Sequence, residues 1–264
     1  MRRVLALALA CSLVVLLGRP VFAAEPLAET TASPVDQAPA IRSFESAHYG
    51  LVGTVKFDGV TIDVLGEGDL ALPDQQRGSF KFGPVTAEVV MTDDNVYTRT
   101  RFDPVWSRQP ATEPLSVGPI SASELTRLGR DVRLIGTERV GGVETVHYST
   151  AIDFQSVLGP LLPVIDDPEV SEALRSLTGT VDVWVGAEDR LVRQERVVLS
   201  IRLPAIEPGG DLLTATVDFT LAYSQLNEPV TISAPPRNDP SPIRTPRPDV
   251  VPVTGSPGAA AGAG

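Results

Sequence analysis

Cysteine is almost missing from this chain of 264 residues, with one Cys at position 11. A disulfide framework is therefore excluded, and so is a zinc or iron–sulfur centre built on thiolates. Histidine is nearly as scarce, with two residues, and aromatics make up 5%. Lys and Arg number 22 against 33 Asp and Glu, a formal net charge of −11. That balance lacks the basic footprint of a protein that tracks phosphates, so no nucleic-acid partner is expected. Catalytic signatures are missing too: there is no Gly-x-Ser-x-Gly elbow, phosphate-binding loop or His-Glu-x-x-His. Neither an enzyme nor a cofactor is expected.

The ends read differently from the middle. Met1-Arg2-Arg3 precedes an apolar run from Val4 to Leu17, broken by Gly18-Arg19-Pro20 and followed by Val21-Phe22-Ala23. This is the pattern of a secretory signal, residues 1–23, cut after Ala23, and the alternative is an uncleaved anchor. Its removal takes away three arginines and moves the net charge from −11 to −14. The expected location is extracytoplasmic, secreted or in the cell envelope. Cys11 sits inside the apolar run, so lipid anchoring through it is disfavoured. Residues 24–40 suit a linker. Residues 235–264 are rich in Pro, Gly and Ala, bury too little apolar surface to offset ordering, and read as a disordered tail. One folded domain over 41–234 remains.

Within it, Asp58-Gly59 separates two alternating segments and predicts a hairpin pairing Phe57 with Val60. The face of Phe57 then also carries Leu51, Val55, Val60, Ile62 and Val64. Gly141-Gly142 predicts a second such turn, with Val140 opposite Val143 and Arg139 opposite Glu144. Further strands are read at 76–83, 84–91, 94–101, 179–186, 191–203 and 213–223, turned at 187–190 between the fourth and fifth. Gly66 and Gly68 share a face with Val64 and Leu70, and two missing side chains there let the sheet bend sharply. Helical signals cluster between the strands. Ser121–Glu124 forms a capping box before Leu125 and Leu128, Asp153 caps a turn with Phe154 and Val157, and Asp167-Pro168 opens a helix with Val170, Leu174 and Leu177, ended by Gly179. Between the last two runs Val157-Leu-Gly-Pro-Leu-Leu-Pro-Val-Ile165, apolar but barred from regular structure by its prolines and glycine. Such a segment covers an apolar surface or presents one.

Other groupings have plain readings. Gly66-Glu-Gly-Asp-Leu-Ala71 has the spacing of a dinucleotide loop but no following helix. His48 and His147 read as polar strand residues rather than metal ligands. Asp93-Asp94 reads as a turn and Asp166-Asp167 as a cap. Trp106 is either a core aromatic at a strand end or an aromatic at a cavity mouth.

The order of elements resembles a known family. Gly53-Thr-Val-Lys-Phe-Asp-Gly59, Asn95-Val-Tyr97 leading to Trp106-Ser107, Gly118–Ser123, Gly136–Tyr148 and Val181-Asp-Val-Trp-Val185 with Leu191-Val-Arg193 together resemble LppX/LprG-type envelope lipoproteins and, more distantly, LolA-like carriers. The resemblance covers most of 41–234 and rests on order and spacing. It implies an α+β fold: a single strongly curved antiparallel sheet, a half-barrel, with a few helices on its concave face. It also implies a non-enzymatic carrier that holds the acyl chains of a lipid or glycolipid between sheet and helices. A transient membrane contact and a monomer are expected with it. The chain departs from the family at the signal, which offers Cys11 alone as a lipidation site. Leu158, Leu161, Leu162, Val164, Ile165 and Leu174 are the candidate lipid-binding residues. A sensory or protein-interaction module on the same LolA-like fold is the alternative.

Overall fold

The computed structural model describes residues 41–92, 95–110, 119, 125, 129, 131–152, 168–203, 213–236 and 241–247. Its strands are β1 (Ser46–Phe57), β2 (Val60–Ala71), β3 (Gln75–Phe82), β4 (Val85–Thr92), β5 (Asn95–Thr100), β6 (Ser107–Pro110), β7 (Arg133–Val140), β8 (Val143–Ala151), β9 (Thr178–Gly186), β10 (Val192–Leu203) and β11 (Leu213–Ser224). One helix, α1 (Pro168–Arg175), is described in full.

All eleven strands join one sheet in the order β6-β5-β4-β3-β2-β1-β11-β10-β9-β8-β7. Every pairing of neighbours is antiparallel. The topology is two meanders, β1 to β6 and β7 to β11, sealed where β1 meets β11. Hairpin connections make most of this pairing local, and the β1–β11 ladder, from His48↔Ser224 to Phe57↔Ala215, supplies the long-range closure.

Both two-residue turns form as the sequence predicts. Phe57 pairs with Val60, and Asp58 and Gly59 have φ of 49° and 71°. Val140 pairs with Val143 and Arg139 with Glu144 across Gly141 and Gly142, at φ 57° and 83°. Positive φ at both central positions matches the twist of the flanking strands.

Because a strand alternates faces, these registers sort the side chains into two sets. One face, here the inner face, carries Tyr49, Leu51 and Val55 of β1, Val64 and Leu70 of β2, Met91 of β4, Val181, Val183 and Val185 of β9, Val197, Leu199 and Ile201 of β10, and Val217, Phe219 and Tyr223 of β11. All of these are buried in one apolar cluster. At roughly 1.5–3 kcal/mol for each large side chain, this face is the main source of stability. The outer face carries polar pairs: Arg196 Nε and Nη2 donate to Asp218 at 3.0 and 2.8 Å, and His48 Nδ1 lies 2.9 Å from Asp69.

The expected bend is consistent with a curved half-barrel. A Cβ at Gly66 would lie 2.9 Å from the Phe80 ring, so the missing side chain makes room for an inner-face aromatic on the next strand. Val60 departs from expectation: it shares the inner-face register yet is 56% exposed, because it stands at the hairpin tip, beyond the apolar cluster.

Helix α1 begins at Pro168, as predicted, and ends at Arg175 rather than running to Gly179, which belongs to β9. Ser176 causes the stop. Its Oγ donates to the Ala173 carbonyl at 2.7 Å and accepts the Arg202 N–H at 2.8 Å, tying the last turn to β10. Ala173 and Leu177 are buried in the inner-face cluster, and so is Leu125, which is helical. The rest of the 121–128 signal and the 153–158 signal lie outside the described residues.

The tail expected from 235 does not leave the sheet there. Residues 241–247 lie against the outer face, with Pro246 buried. Arg244 N–H donates to Glu88 Oε1 at 3.0 Å, Arg247 N–H to Glu67 Oε2 at 3.2 Å, and Arg99 Nη1 to the Ser241 carbonyl at 3.1 Å.

Candidate functional site

The inner face continues as apolar side chains from β5 at one side to β8 at the other, but it is not equally closed. On β9, β10 and β11, Val183, Val185, Leu199 and Val217 are all 4% exposed or less. On β2 to β5, Ile62, Phe80, Phe82, Val89 and Val96 are only partly buried, while sharing the same face through Val64↔Phe82, Gly66↔Phe80, Gly78↔Val89 and Met91↔Val96. This strip, with Phe57 at its hairpin end, is apolar surface with incomplete cover.

Of the predicted lipid-binding residues, Leu174 is on α1 and half-buried. Leu158, Leu161, Leu162, Val164 and Ile165 lie outside the described residues. Sequence reasoning placed the apolar site in that Leu/Pro segment and did not single out the β2–β5 strip. Its signal was present in the period-2 alternation of Phe80 and Phe82 and of Val85, Ala87 and Val89.

Two polar pairs interrupt the inner face. Tyr223 OH donates to Glu195 Oε2 at 3.1 Å, with both residues buried and the Phe44 ring 5.3 Å from that of Tyr223. Burial, joined by the Glu195 charge, pushes the Tyr223 phenol well up, so it stays a neutral donor. Tyr49 OH accepts from Gln76 Nε2 at 2.7 Å, and burial likewise raises its phenol.

The histidines lie on the outer face as strand residues. His147 sits between two carboxylates, with Nδ1 3.0 Å from Glu138 Oε1 and Nε2 3.1 Å from Asp182 Oδ1, and it stacks on Trp184 at 4.2 Å. Trp184 Nε1 donates to the same Glu138 oxygen at 2.6 Å. This network is closed on itself. Among the described residues, no group of three or more His, Cys, Asp or Glu is arranged to hold a metal ion. No described helix is long and apolar enough to cross a membrane.

A hollow opens on the outer face under residues 241–247. Its volume is about 200 Å³, and Trp106 lines it together with Ser79, Glu88 and Arg99. Trp106 is thus a cavity aromatic on the polar side of the sheet, with the Arg99 guanidinium 4.7 Å from its ring centre.

No family model matches the chain, and no curated protein matches it. Solved structures similar to it include mycobacterial proteins and a LolA superfamily protein. LprF from Mycobacterium bovis is 16% identical with TM-score 0.43, covering 73% of this chain and 90% of its own. The Mycobacterium tuberculosis lipoprotein LppX is 18% identical with TM-score 0.36, covering 72% and 90%. A LolA superfamily protein from Nitrosomonas europaea is 12% identical with TM-score 0.26, covering 79% and 96%. These are members of the groups that the sequence segments resemble. With identities below 20% and TM-scores below 0.5 they leave the site to be argued from the chain itself.

Proposed function

We propose that this protein is a non-enzymatic, extracytoplasmic lipid carrier that holds acyl chains against the inner face of its sheet. The observation that carries the reading is the β2–β5 strip. Inner-face Ile62, Phe80, Phe82, Val89 and Val96 keep incomplete cover beside the buried Val64, Leu70 and Met91, while the Glu88–Arg99 ion pair of the same strands lies on the other face. An acyl chain laid on that strip gains about 0.8 kcal/mol for each buried CH₂. A chain of a dozen methylenes is thus held by roughly 10 kcal/mol before ordering costs, with no catalytic group required. Leu158, Leu161, Leu162, Val164 and Ile165, with Leu174 of α1, are the residues proposed to close over the chain. Release follows when that cover opens or meets a membrane. The cargo is a lipid or glycolipid, and the carrier acts as a monomer.

The test is lipid extraction and native mass spectrometry on protein purified from its own host. Stoichiometric acyl lipid is expected, and it is lost when Leu161→Asp and Leu162→Asp are introduced together while secretion continues. Protein free of lipid, or bound in a fixed ratio to another protein, sinks the carrier reading and favours the interaction-module alternative.

A further inference from the structure

Three turns of the sheet repeat one pattern. Lys56-Phe-Asp-Gly-Val60, Lys81-Phe-Gly-Pro-Val85 and Arg101-Phe-Asp-Pro-Val105 each run cation, Phe, two turn residues, Val. They are the connections β1–β2, β3–β4 and β5–β6, closed by the pairs Phe57↔Val60, Phe82↔Val85 and Thr98↔Ser107. Each joins an odd strand to the next even one in an antiparallel meander, so all three stand at the same end of the sheet. Lys56 and Lys81 are the two lysines of the chain, and both are in this set.

The apolar members of these turns are uncovered. Phe102 is 76% exposed, Val105 60% and Val60 56%. Single exposed apolar residues are ordinary on a protein surface, but a repeat at three neighbouring tips is not. The third turn holds Phe102 out on fixed backbone. Thr100 N–H donates to the Asp103 carbonyl at 2.8 Å, Asp103 N–H returns to the Thr100 carbonyl at 3.1 Å, and Arg101 N–H donates to the Thr86 carbonyl at 3.0 Å. Phe57 and Phe82 turn onto the inner face instead and are half-buried against its apolar cluster. The proposed acyl strip thus runs out to the same turns.

The shape of this end selects the occupant. A specific protein partner needs a fitted patch of roughly 800 Å², and separate tips on strands about 4.8 Å apart do not make one. A bilayer surface needs no fitted patch, because apolar side chains enter the acyl boundary while cationic heads stay among the headgroups. Charge agrees. Lys56, Lys81 and Arg101 stand with Asp58, Asp63 and Asp103, three charges of each sign, in a chain of net charge −11. This end is neutral, and its mixed signs suit a zwitterionic headgroup. We infer that the three turns dock the protein on a phospholipid bilayer, with Phe102, Val105 and Val60 in the acyl boundary and Lys56, Lys81 and Arg101 at the phosphates. The inference names the membrane partner of the proposed carrier and rests on that reading for its purpose, since cargo would pass along Phe57 and Phe82.

The experiment sediments protein purified from its own host with phosphatidylcholine vesicles. The parent is expected to co-sediment saturably as lipid rises. Phe102→Ser weakens the partition about tenfold, the effect of withdrawing one large side chain from apolar surroundings. Adding Val60→Ser and Val105→Ser abolishes it. Val143→Ser, at the opposite end of the sheet where Val143 is 38% exposed, leaves it unchanged. The N-terminal residues are the same in every protein, so they do not enter the differences, and matching melting profiles separate lost docking from lost fold. In Phe102→Trp, brominated acyl chains quench the added indole beyond the background of Trp106 and Trp184 read in the parent. Docking is refuted if the parent stays in the supernatant, if the triple variant sediments like the parent, or if the indole at 102 is not quenched. It is also refuted if Phe102→Ser keeps vesicle binding and loses a co-purifying host protein, which makes the turns a protein interface. Protein that yields acyl lipid but ignores vesicles overturns docking alone, whereas protein that binds vesicles and yields no lipid keeps docking and sinks the carrier.

Discussion

Tyr49 and Gly78 stand on the same inner-face row with one strand between them, and the tyrosine hydroxyl occupies the space a side chain at 78 would need. The row runs Tyr49↔Gly68↔Gly78, so two glycines in succession leave a trough into which the phenol lies flat and buried. Its oxygen is fixed there by Gln76. A large aromatic thus fills the sheet surface itself instead of standing up from it.

That packing makes Gly78→Ala costly through a contact that can be removed. The new methyl overlaps Tyr49 OH, and the fully buried ring has nowhere to swing. A loss of about 1–3 kcal/mol is expected, the usual range for overpacking. Tyr49→Phe alone loses the Gln76 hydrogen bond, about 1 kcal/mol. In the double variant the overlap with the hydroxyl is gone and only the tighter contacts at 2.9 Å to the Glu67 carbonyl oxygen and 3.2 Å to the ring remain, so the combined loss is smaller than the sum. Gly68→Ala is worse than either, since its methyl would meet the backbone of Arg77 and Gly78, which cannot rotate away. Urea unfolding of the four proteins measures the coupling, and simple additivity contradicts it.

Glu88 and Arg99 form a second testable unit. Breaking a buried pair leaves an uncompensated charge, so Glu88→Ala is expected to cost about 3–5 kcal/mol. It also removes the acceptor of Arg244 N–H, and the strap loosens with it. Trypsin then cuts after Arg244 much faster than in the parent protein. Glu67→Gln, at the exposed contact with Arg247, costs under about 1 kcal/mol. Equal trypsin resistance of Glu88→Ala and the parent would show that the strap is held elsewhere.

Asp182 gives the fold a pH dependence. Burial alone would raise its carboxyl, but hydrogen bonds from His147 and Ser149 and the nearby charges of His147 and Arg196 outweigh it and hold the group below the usual range. A carboxyl that ionises more readily when folded contributes stability that is fully present above its unfolded value, about 3.9. That contribution is lost as pH falls through the depressed folded value. Urea midpoints measured from about pH 2 to pH 7 should therefore drop on the acid side of about pH 4. In Asp182→Asn that part of the drop is absent. Parallel acid limbs in the two proteins would show that other carboxylates carry the effect.

Much of this architecture was legible because hairpins are local. Asp58-Gly59 and Gly141-Gly142 set turn type and register at once, and register fixes which face each side chain takes. The β1–β11 ladder was not legible, since no local signal tells Leu51 that Leu221 is its partner. Strand β6, Ser107–Pro110, has no apolar alternation and forms against β5 through its backbone. The strap reads as tail because an extended proline-rich segment has no pattern of its own, and its acceptors, Glu67 and Glu88, lie more than 150 residues earlier. The site shows the same division. The alternation that builds the β2–β5 strip was visible, whereas which part of a continuous apolar face stays half-covered depends on packing across the whole sheet.

That difference in cover separates lining from core. Leu199 is 1% exposed within the closed part of the inner face. Leu199→Ala should cost about 2–5 kcal/mol through the cavity it leaves, while the protein that still folds keeps its lipid. Phe82 is only partly buried on the open strip, so Phe82→Ser removes less protein–protein contact and costs less stability. It takes away aromatic surface where an acyl chain would lie, and lipid per protein after extraction should fall several-fold. Thermal melting and lipid quantification on the same two samples give opposite rankings if the strip is the binding surface. If Phe82→Ser keeps its full lipid load while Leu199→Ala loses it, the acyl chain lies over β9–β11 and the strip is only the rim of the core.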